Sequence, residues 1–247
     1  MAPTQKTVAL ITGAAQRIGA EIARTLHQSG MDIAVHYRGS ATAAESLKEE
    51  LEASRADSVL LIQSDLNDTE KLNQIIQQIE QWRGRLDLLV NNASAFYPTP
   101  MDQLDTRQWD ELMGSNLKAP FFLAAAAAPL LKQQHGAIIN LVDIHADRPL
   151  AEHSIYCMAK AGNAMMIKSL ARELGPEIRV NGVAPGAILW PDQALSEKAK
   201  ADILARTQLG TLGTPTDIAR TVRFLAFDAP YITGQIIAVD GGRSVQQ

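Results

Sequence analysis

Two kinds of hydrophobic pattern alternate along the chain. Short apolar runs bounded by turn residues predict seven β-strands, at residues 8–12, 33–37, 59–63, 86–91, 137–143, 179–183 and 235–239. Longer segments in which apolar residues recur every three or four positions predict helices, among them residues 20–29, 68–82, 105–131, 154–174 and 215–227. This alternation predicts an α/β fold, a doubly wound parallel sheet with helices on both faces.

Length, composition and charge narrow the class of protein. The 247 residues, 46% of them hydrophobic, fit a single domain over residues 1–247 with a well-buried core. The net charge of −4 provides no basic surface for nucleic acid or an anionic membrane. The longest apolar stretch, residues 120–131, is too short to span a bilayer, and the N-terminus lacks a signal-peptide pattern. We expect a cytoplasmic protein that binds neither nucleic acid nor membrane.

Cysteine and histidine give no sign of a metal site. Cys157 is the single cysteine, which excludes an intrachain disulfide, and the five histidines lack the spacing of known ligand motifs. A small packing residue is a better interpretation of Cys157 than a reactive thiol. We predict no metal.

Polar residues and glycines follow most of the predicted strands at their carboxyl ends. An open parallel sheet binds its ligands beyond those ends, so these residues should line one crevice. They are Gly13, residues 36–40, Asp65, residues 91–94, Asp143 and residues 185–186. Asp65 is placed to meet an adenine ring, and the backbone of residues 91–93 to meet a ribose. The pattern predicts a dinucleotide cofactor.

The turn after the first strand has the residue types that bind phosphate. Gly13 and Gly19 let the backbone approach a pyrophosphate, and the helix that follows supplies free N–H donors. An NAD-binding site usually has an acidic residue at the end of the second strand, but residues 36–40 contain none. Arg17 and Arg38 can instead pair with a 2′-phosphate, and Ser40 can donate a hydrogen bond to it. The residues favour NADPH over NADH.

Tyr156 and Lys160 lie four residues apart on a predicted helix, so their side chains share one face. A phenol titrates near pKa ~10, and a neighbouring ammonium favours the phenolate, which brings the pKa of the phenol closer to working pH. Such a pair suits proton delivery during the reduction of a carbonyl or imine. Because Tyr and Lys are common on helix surfaces, the interpretation depends on the surrounding motifs.

Together the motifs resemble those of the short-chain dehydrogenase/reductase family over essentially the whole chain. The matching positions are Gly13, Gly19, Asn91-Asn92-Ala93, Asn116, Tyr156, Lys160 and Pro185-Gly186. Members of that family are Rossmann-type, nicotinamide-dependent oxidoreductases and are often tetramers, so the resemblance implies this fold, this cofactor class and a homotetramer. In the roles that it implies, Tyr156 donates the proton, Lys160 holds the nicotinamide ribose and lowers the pKa of Tyr156, and Asn116 supports a water relay.

Two positions depart from the general family pattern. Arg17 stands where most relatives have a glycine, and Asp143 stands where they have a serine, thirteen residues before the tyrosine. A serine hydroxyl is suited to hydrogen-bonding a carbonyl oxygen, whereas a carboxylate repels a developing alkoxide unless it is protonated. Asp143 therefore suits a substrate that presents N–H donors or takes up a proton on nitrogen.

These departures, with residues 36–40 and 92–100, resemble the pteridine reductase subgroup, which reduces C=N bonds of pterins and folates with NADPH. The resemblance implies that Asp143 and Tyr156 relay a proton to the pterin nitrogen. Phe96 then stacks on the flat ring, a contact worth about 1 kcal/mol beyond area burial. Ser94 is placed to bond the pterin edge or the cofactor phosphates. Trp190 is interpreted either as a wall of the substrate pocket or as an anchor of its loop.

The predicted site has three overlapping sets of residues. The catalytic set is Asp143, Tyr156, Lys160 and Asn116. The cofactor set is Gly13, Arg17, Ile18, Gly19, His36, Tyr37, Arg38, Ser40, Asp65, Leu66, Asn92, Ala93, Ser94, Tyr156, Lys160, Pro185 and Gly186. The substrate set is Ser94, Phe96, Asp143, Tyr156 and Trp190. The role of Arg243 and the choice among pterin, dihydropterin and folate stay open.

Two alternatives accompany the pterin hypothesis. One is a carbonyl or 3-oxoacyl-thioester reductase of the same family, against which the carboxylate of Asp143 argues. The other is a catalytically silent NADP-binding module, against which the presence of Tyr156, Lys160 and Asn116 argues.

Overall fold

One parallel sheet organises the molecule. The computed structural model describes residues 6–190 and 196–245, and residues 1–5, 191–195 and 246–247 lie outside the described residues. The seven strands have the order β3-β2-β1-β4-β5-β6-β7, with every neighbouring pair parallel. They are β1 (Val8–Ile11), β2 (Asp32–Tyr37), β3 (Val59–Gln63), β4 (Leu88–Asn91), β5 (Ala137–Leu141), β6 (Arg179–Pro185) and β7 (Ile236–Val239). The predicted fold class is confirmed.

Eight α-helices surround the sheet in the described ranges. They are α1 (Arg17–Gln28), α2 (Ala41–Glu52), α3 (Leu72–Arg83), α4 (Thr106–Met113), α5 (Ala119–Gln133), α6 (Ser154–Leu174), α7 (Glu197–Ala205) and α8 (Pro215–Arg223). Apolar residues of α1, α2 and α8 pack on one face of the sheet, and those of α3, α5 and α6 pack on the other. Alternate residues of β1 point to opposite faces, so both faces need apolar side chains and the strand is a continuous apolar run.

The helix predicted over residues 105–131 is interrupted. A π-helical turn, Gly114–Lys118, separates α4 from α5. Pro120 has no N–H, so it cannot donate the α-helical hydrogen bond to the carbonyl of Asn116, four residues earlier. Nδ2 of Asn163 donates to that carbonyl instead, at 2.8 Å. Hydrophobic periodicity does not reveal a local insertion of this kind, which often marks a functional site.

The described residues contain neither a candidate membrane-spanning helix nor a candidate metal-binding cluster. No helix there is long and apolar enough to cross a membrane. No cluster of three or more His, Cys, Asp or Glu side chains in the same ranges is placed to hold a metal ion.

Candidate active site

The loops that follow β1 to β4 surround a cavity of about 540 Å³ at the carboxyl ends of the strands. Parallel strands end on the same edge of the sheet, which is why loops distant in sequence meet there. The predicted cofactor residues that line this cavity are Gly13, Arg17, Ile18, Gly19, His36, Tyr37, Arg38, Ser40, Asp65, Leu66, Asn92, Ala93 and Ser94. Asn67 and Ser115 also line it, and the sequence analysis missed them.

The glycine turn is built for close approach. Gly13 has φ +60°, and a Cβ there would lie 3.0 Å from Cα of Ala93. A Cβ on Gly19 would collide with the carbonyl oxygen of Gly13. Helix α1 then begins with no side-chain cap from its N-cap residue and no acidic residue in its first turn. Its first N–H groups are therefore open to an anionic ligand, as a pyrophosphate site requires.

Arg17 adopts φ +54°, in the left-handed region that favours glycine. A glycine would adopt this conformation without steric cost, so the arginine carries some backbone strain. Its Nη2 donates to the backbone carbonyl of Trp190 at 3.3 Å, so the guanidinium connects the phosphate turn to the loop after β6.

The predicted 2′-phosphate site contains a carboxylate that the sequence analysis did not foresee. Arg38 is 63% exposed and extends from the end of β2, as a phosphate ligand should. Residues 36–40 contain no carboxylate. However, Oε1 of Glu111 on α4 lies 4.0 Å from Nη1 of Arg38. Tyr97 donates its hydroxyl to Oε2 of the same carboxylate at 3.0 Å. Glu111 is thus a competitor of a bound phosphate for Arg38.

A buried polar atom supports the assignment of a ligand to this cavity. Oδ1 of Asn67 is buried and has no hydrogen-bond partner within the described ranges. A buried acceptor is normally paired, so this oxygen fits a ligand that brings an N–H donor, as an adenine amino group does. Together with the open glycine turn and Arg38, the residues present fit a phosphorylated dinucleotide.

Asp143 and Tyr156 form the central contact of the catalytic set. The Tyr156 hydroxyl donates to Oδ2 of Asp143 at 2.7 Å, and the backbone N–H of His145 donates to Oδ1 at 2.9 Å. Burial and the carboxylate of Asp143 raise the pKa of Tyr156 well above its usual value, with a small opposing effect from Ser94. The phenol is therefore protonated at neutral pH.

The expected lowering of the Tyr156 pKa is wrong for this structure. Lys160 is 2% exposed, and its Nζ donates to the carbonyl of Leu141 at 2.9 Å, so its charge is not directed at the phenol oxygen. Burial lowers the pKa of Lys160 to about 8, while Asp143 acts in the opposite direction. The sequence places Tyr156 and Lys160 on one face of the helix. Burial of that face and the nearby carboxylate of Asp143 then set the direction of both pKa shifts.

Asn116 lies in the π-helical turn and is held from several sides. Its Nδ2 donates to the carbonyls of Ala95 at 2.9 Å and Leu112 at 3.0 Å, and its Oδ1 accepts from Ser94 at 2.7 Å. Its side chain is fully engaged in these contacts, and the predicted water relay through Asn116 stays a prediction.

The chain is similar to known proteins over nearly its whole length. The family model described as enoyl-(acyl carrier protein) reductase matches residues 13–244. This chain belongs to the short-chain dehydrogenase/reductase family. Among relatives in that family, a 3-oxoacyl-[acyl-carrier-protein] reductase FabG from Staphylococcus aureus is 40% identical over 238 residues, covering 95% of this chain and 96% of the relative. A FabG from Thermotoga maritima is 34% identical over 241 residues, covering 95% and 96%. Pteridine reductase 1 of Leishmania tarentolae is 34% identical over 279 residues, covering 96% of each chain.

In this short-chain dehydrogenase/reductase a second, smaller cavity of about 190 Å³ adjoins the contact between Asp143 and Tyr156. Its lining residues are Phe96, Asp143, Ile144, His145, Tyr156, Gly186 and Arg243. Phe96 is 53% exposed, stacks on His153 with ring centroids 4.7 Å apart, and meets the Tyr156 ring edge-on at 4.8 Å. The predicted substrate residues Phe96, Asp143 and Tyr156 therefore meet at one cavity. His145 was missed, and its closeness in sequence to Asp143 was the one available signal.

Several predicted residues lie differently, and Lys160 and Asn116 are in the lining of neither cavity. Ser94 lines the larger cavity rather than the smaller one. Trp190 lines neither cavity among the described residues, and its ring faces Nζ of Lys200, 5.9 Å from the ring centroid. Pro185 ends β6 and also lies outside both linings, although Gly186 borders the smaller cavity. A role of Trp190 or Pro185 in ligand binding stays a prediction.

Proposed function

We propose that this oxidoreductase is an NADPH-dependent pteridine reductase, one catalytic domain over residues 1–247 that reduces a C=N bond of a pterin, a dihydropterin or dihydrofolate. The observation that carries the proposal is the 2.7 Å hydrogen bond between the Tyr156 hydroxyl and the Asp143 carboxylate. Asp143 replaces the serine of most family members at the position that faces the reacting bond.

The reaction adds a hydride to carbon and a proton to nitrogen, so that C=N becomes CH–NH. Bound NADPH supplies the hydride. Tyr156 supplies the proton, because its raised pKa keeps the phenol protonated until a substrate nitrogen takes the proton. Asp143 uses one lone pair on each oxygen for Tyr156 and for the N–H of His145, and the remaining lone pairs can accept N–H groups of a pterin.

The charge of Asp143 separates this reaction from carbonyl reduction. Two like charges about 4 Å apart repel by about 4 kcal/mol at an effective dielectric constant near 20. A carboxylate beside a developing alkoxide would therefore raise the barrier and slow the step by roughly 10³-fold. A pterin instead presents ring and amino N–H groups, which the carboxylate of Asp143 can accept as hydrogen bonds while Tyr156 protonates the reacting nitrogen.

The cofactor part of the proposal rests on the larger cavity. Its residues would hold the pyrophosphate at the glycine turn and α1, and a 2′-phosphate at Arg38 and Ser40. The family resemblance implies that Lys160 holds the nicotinamide ribose beside Tyr156, and in this structure its buried Nζ donates to the carbonyl of Leu141.

The second candidate function is that of a 3-oxoacyl-thioester reductase, and the whole-chain comparisons favour it over the pteridine reductase hypothesis. The chain is 40% identical to the S. aureus 3-oxoacyl-[acyl-carrier-protein] reductase and 34% identical to pteridine reductase 1. The two alignments cover 95% and 96% of this chain. Identity over a whole chain reports the shared fold more than the site, whereas Asp143 acts on the reacting atoms. A third candidate is a non-catalytic NADP-binding module.

The deciding experiment is the initial rate of NADPH oxidation with dihydrobiopterin, dihydromonapterin, dihydrofolate and acetoacetyl thioester side by side, with NADH as cofactor control. We expect turnover of the pterins. The variant Asp143→Ser should lose pterin turnover by at least 10-fold while gaining activity on the thioester. Thioester turnover alone would select the second candidate, and NADPH binding without any turnover would select the third.

A homotetramer in the cytoplasm belongs to the same proposal. Helices α5 and α6 carry exposed large apolar residues, namely Phe121, Phe122, Met158 and Met165. Such residues are common at subunit interfaces. Light scattering should give about four times the chain mass of 26.8 kDa.

A further inference from the structure

Arg243 forms part of the smaller cavity but has no assigned role. It begins a short 3₁₀ turn, Arg243–Val245, directly after Gly241 and Gly242. The carboxylate of Asp240 accepts from the N–H groups of Gly242 at 2.9 Å and Ser244 at 2.7 Å, so the backbone is fixed on both sides of Arg243. This hydrogen-bonded turn therefore holds Arg243 at the cavity.

This turn is also pinned to the sheet. A Cβ added to Gly186, which follows β6, would lie 2.6 Å from Cα of Asp240. The backbone N–H of Gly186 donates to the carbonyl of Val239 at 3.0 Å. Close packing of these two backbones fixes the position of Arg243 relative to the catalytic end of the sheet.

The guanidinium of Arg243 is half-buried at the edge of the smaller cavity. Among the described residues it makes no side-chain hydrogen bond and no ion pair. Burial lowers its pKa, Arg206 acts in the same direction, and Asp143 and Asp240 oppose them from a distance. The carboxylate of Asp143 is already engaged by Tyr156 and the N–H of His145. A desolvated cation that no anion meets is energetically unfavourable, and an anionic ligand would relieve this.

We propose that Arg243 is a subsite for an anionic substituent, a carboxylate or phosphate, on the substrate that reacts at Asp143 and Tyr156. This inference rests on the proposed function for the identity of the reacting ring. It predicts that substrates with an anionic side chain are preferred over neutral ones, because a guanidinium binds carboxylate or phosphate through charge-assisted hydrogen bonds.

The test compares substrates that share a reacting ring and differ in charge. Dihydrobiopterin is neutral in its side chain, dihydrofolate carries glutamyl carboxylates, and dihydroneopterin monophosphate carries a phosphate. Arg243→Gln should raise KM for the two anionic substrates by about 10- to 100-fold, the usual range for a lost charge-assisted hydrogen bond. It should leave kcat within about twofold and the neutral substrate unchanged. Arg243→Lys should keep more affinity for the phosphate than for the carboxylates, since a lysine provides a point charge without the bidentate fork.

Matched controls separate the subsite from a structural role. Arg172→Gln changes an exposed arginine in the last turn of α6 and should alter none of the three KM values. Raising the ionic strength should raise KM for the anionic substrates with the unmutated protein and leave it flat with Arg243→Gln. An equal effect of Arg243→Gln on neutral and anionic substrates, or no effect on either, would overturn the subsite.

Failure of the proposed function has a different signature. If the protein reduces no pterin but reduces acetoacetyl thioesters, the same variants are compared on acetoacetyl coenzyme A, which carries phosphates, and on the neutral acetoacetyl thioester of N-acetylcysteamine. A KM increase confined to the coenzyme A thioester supports the subsite without the pterin. Equal KM values for both thioesters in Arg243→Gln and in the unmutated protein reject it.

Discussion

His36 and Gly13 are joined at the cofactor turn: Nδ1 of the imidazole accepts the backbone N–H of Gly13 at 3.3 Å. The other ring nitrogen, Nε2, lies 3.1 Å from the carbonyl of Ser64, which assigns it the proton. The neutral ring thus bridges the loops that follow β1 and β3. His36 was predicted as a cofactor ligand, but both of its ring nitrogens are engaged within the protein, where the imidazole holds the glycine turn in place.

We predict a stability loss in acid that depends on His36. Burial is the main cause that lowers its pKa from 6.5 to about 4, against opposing effects of Ser64 and Asp65. Between these pH values the unfolded chain binds a proton that the folded chain rejects, so the stabilisation is complete above pH 6.5 and is lost as pH falls through 4. The loss amounts to about 3 kcal/mol. Urea unfolding at pH 7 and at pH 4.5 should show that His36→Gln flattens this dependence. His135→Gln, at an exposed site, should not, and equal slopes for the two variants would contradict the prediction.

The activity should fall above about pH 8 because Lys160 loses its proton. Burial lowers the pKa of Lys160 to about 8, so the ammonium that donates to the Leu141 carbonyl is lost well below the usual range for lysine. The unfolded chain binds the extra proton between pH 8 and 10.5, so folding stability gains from this group as pH rises through that window, opposite to the activity. The pH profile of kcat/KM should show a basic limb near pH 8. In Lys160→Arg, whose charge persists, any residual activity should lack that limb. A limb at the same pH in Lys160→Arg would assign it to another group.

Glu111 should weaken the preference for NADPH over NADH. Its Oε1 lies 4.0 Å from Nη1 of Arg38, and exposed ion pairs of this kind contribute up to about 1 kcal/mol. Glu111→Gln frees Arg38 for a 2′-phosphate and should lower KM for NADPH by up to about fivefold with KM for NADH unchanged. Arg38→Gln should act in the opposite direction on NADPH alone. Parallel shifts for both cofactors would show that neither residue meets the 2′-phosphate.

Asp32 should matter for stability and not for catalysis. Its carboxylate is fully buried at the start of β2, 2.8 Å from Nε of Arg83 and 3.4 Å from Nη2 of Arg55. Asp32→Asn removes the buried counter-charge that Arg55 and Arg83 share, although Arg83 keeps an exposed pair with Asp57, and should lower the free energy of unfolding by about 3 kcal/mol. Asp228→Asn, which breaks an exposed pair with Arg223, should change it by less than about 1 kcal/mol. Both variants should keep full activity at 25 °C, since Asp32 lies at the end of the strand away from the cavities. A loss of turnover in Asp32→Asn at equal folded fraction would contradict this.

Local patterns in the sequence were enough to predict the fold class and the edge of the sheet where the candidate site lies. Strand, helix and turn signals are local, because side-chain direction alternates along a strand and repeats along a helix within a few residues. Once the strands are known to be parallel, their carboxyl ends must share an edge, and Gly13, Arg38, Asp65 and Asn92 are brought together by topology alone. The pairing of Asp143 with Tyr156 came instead from the resemblance to the pteridine reductase subgroup, and the two side chains do meet.

The pKa values and the contacts between distant elements could be read only from the tertiary structure, because they depend on burial and charge summed over neighbours in space. The pKa of Tyr156 is raised rather than lowered as expected, because burial and the carboxylate of Asp143 outweigh the spacing of Tyr156 and Lys160 on α6. Glu111 reaches Arg38 from another element, and Arg243 reaches the substrate cavity from the far end of the chain. A sequence pattern reports neighbours along the chain, whereas desolvation and electrostatic fields arise from neighbours in space, and only the packing of the elements brings those together.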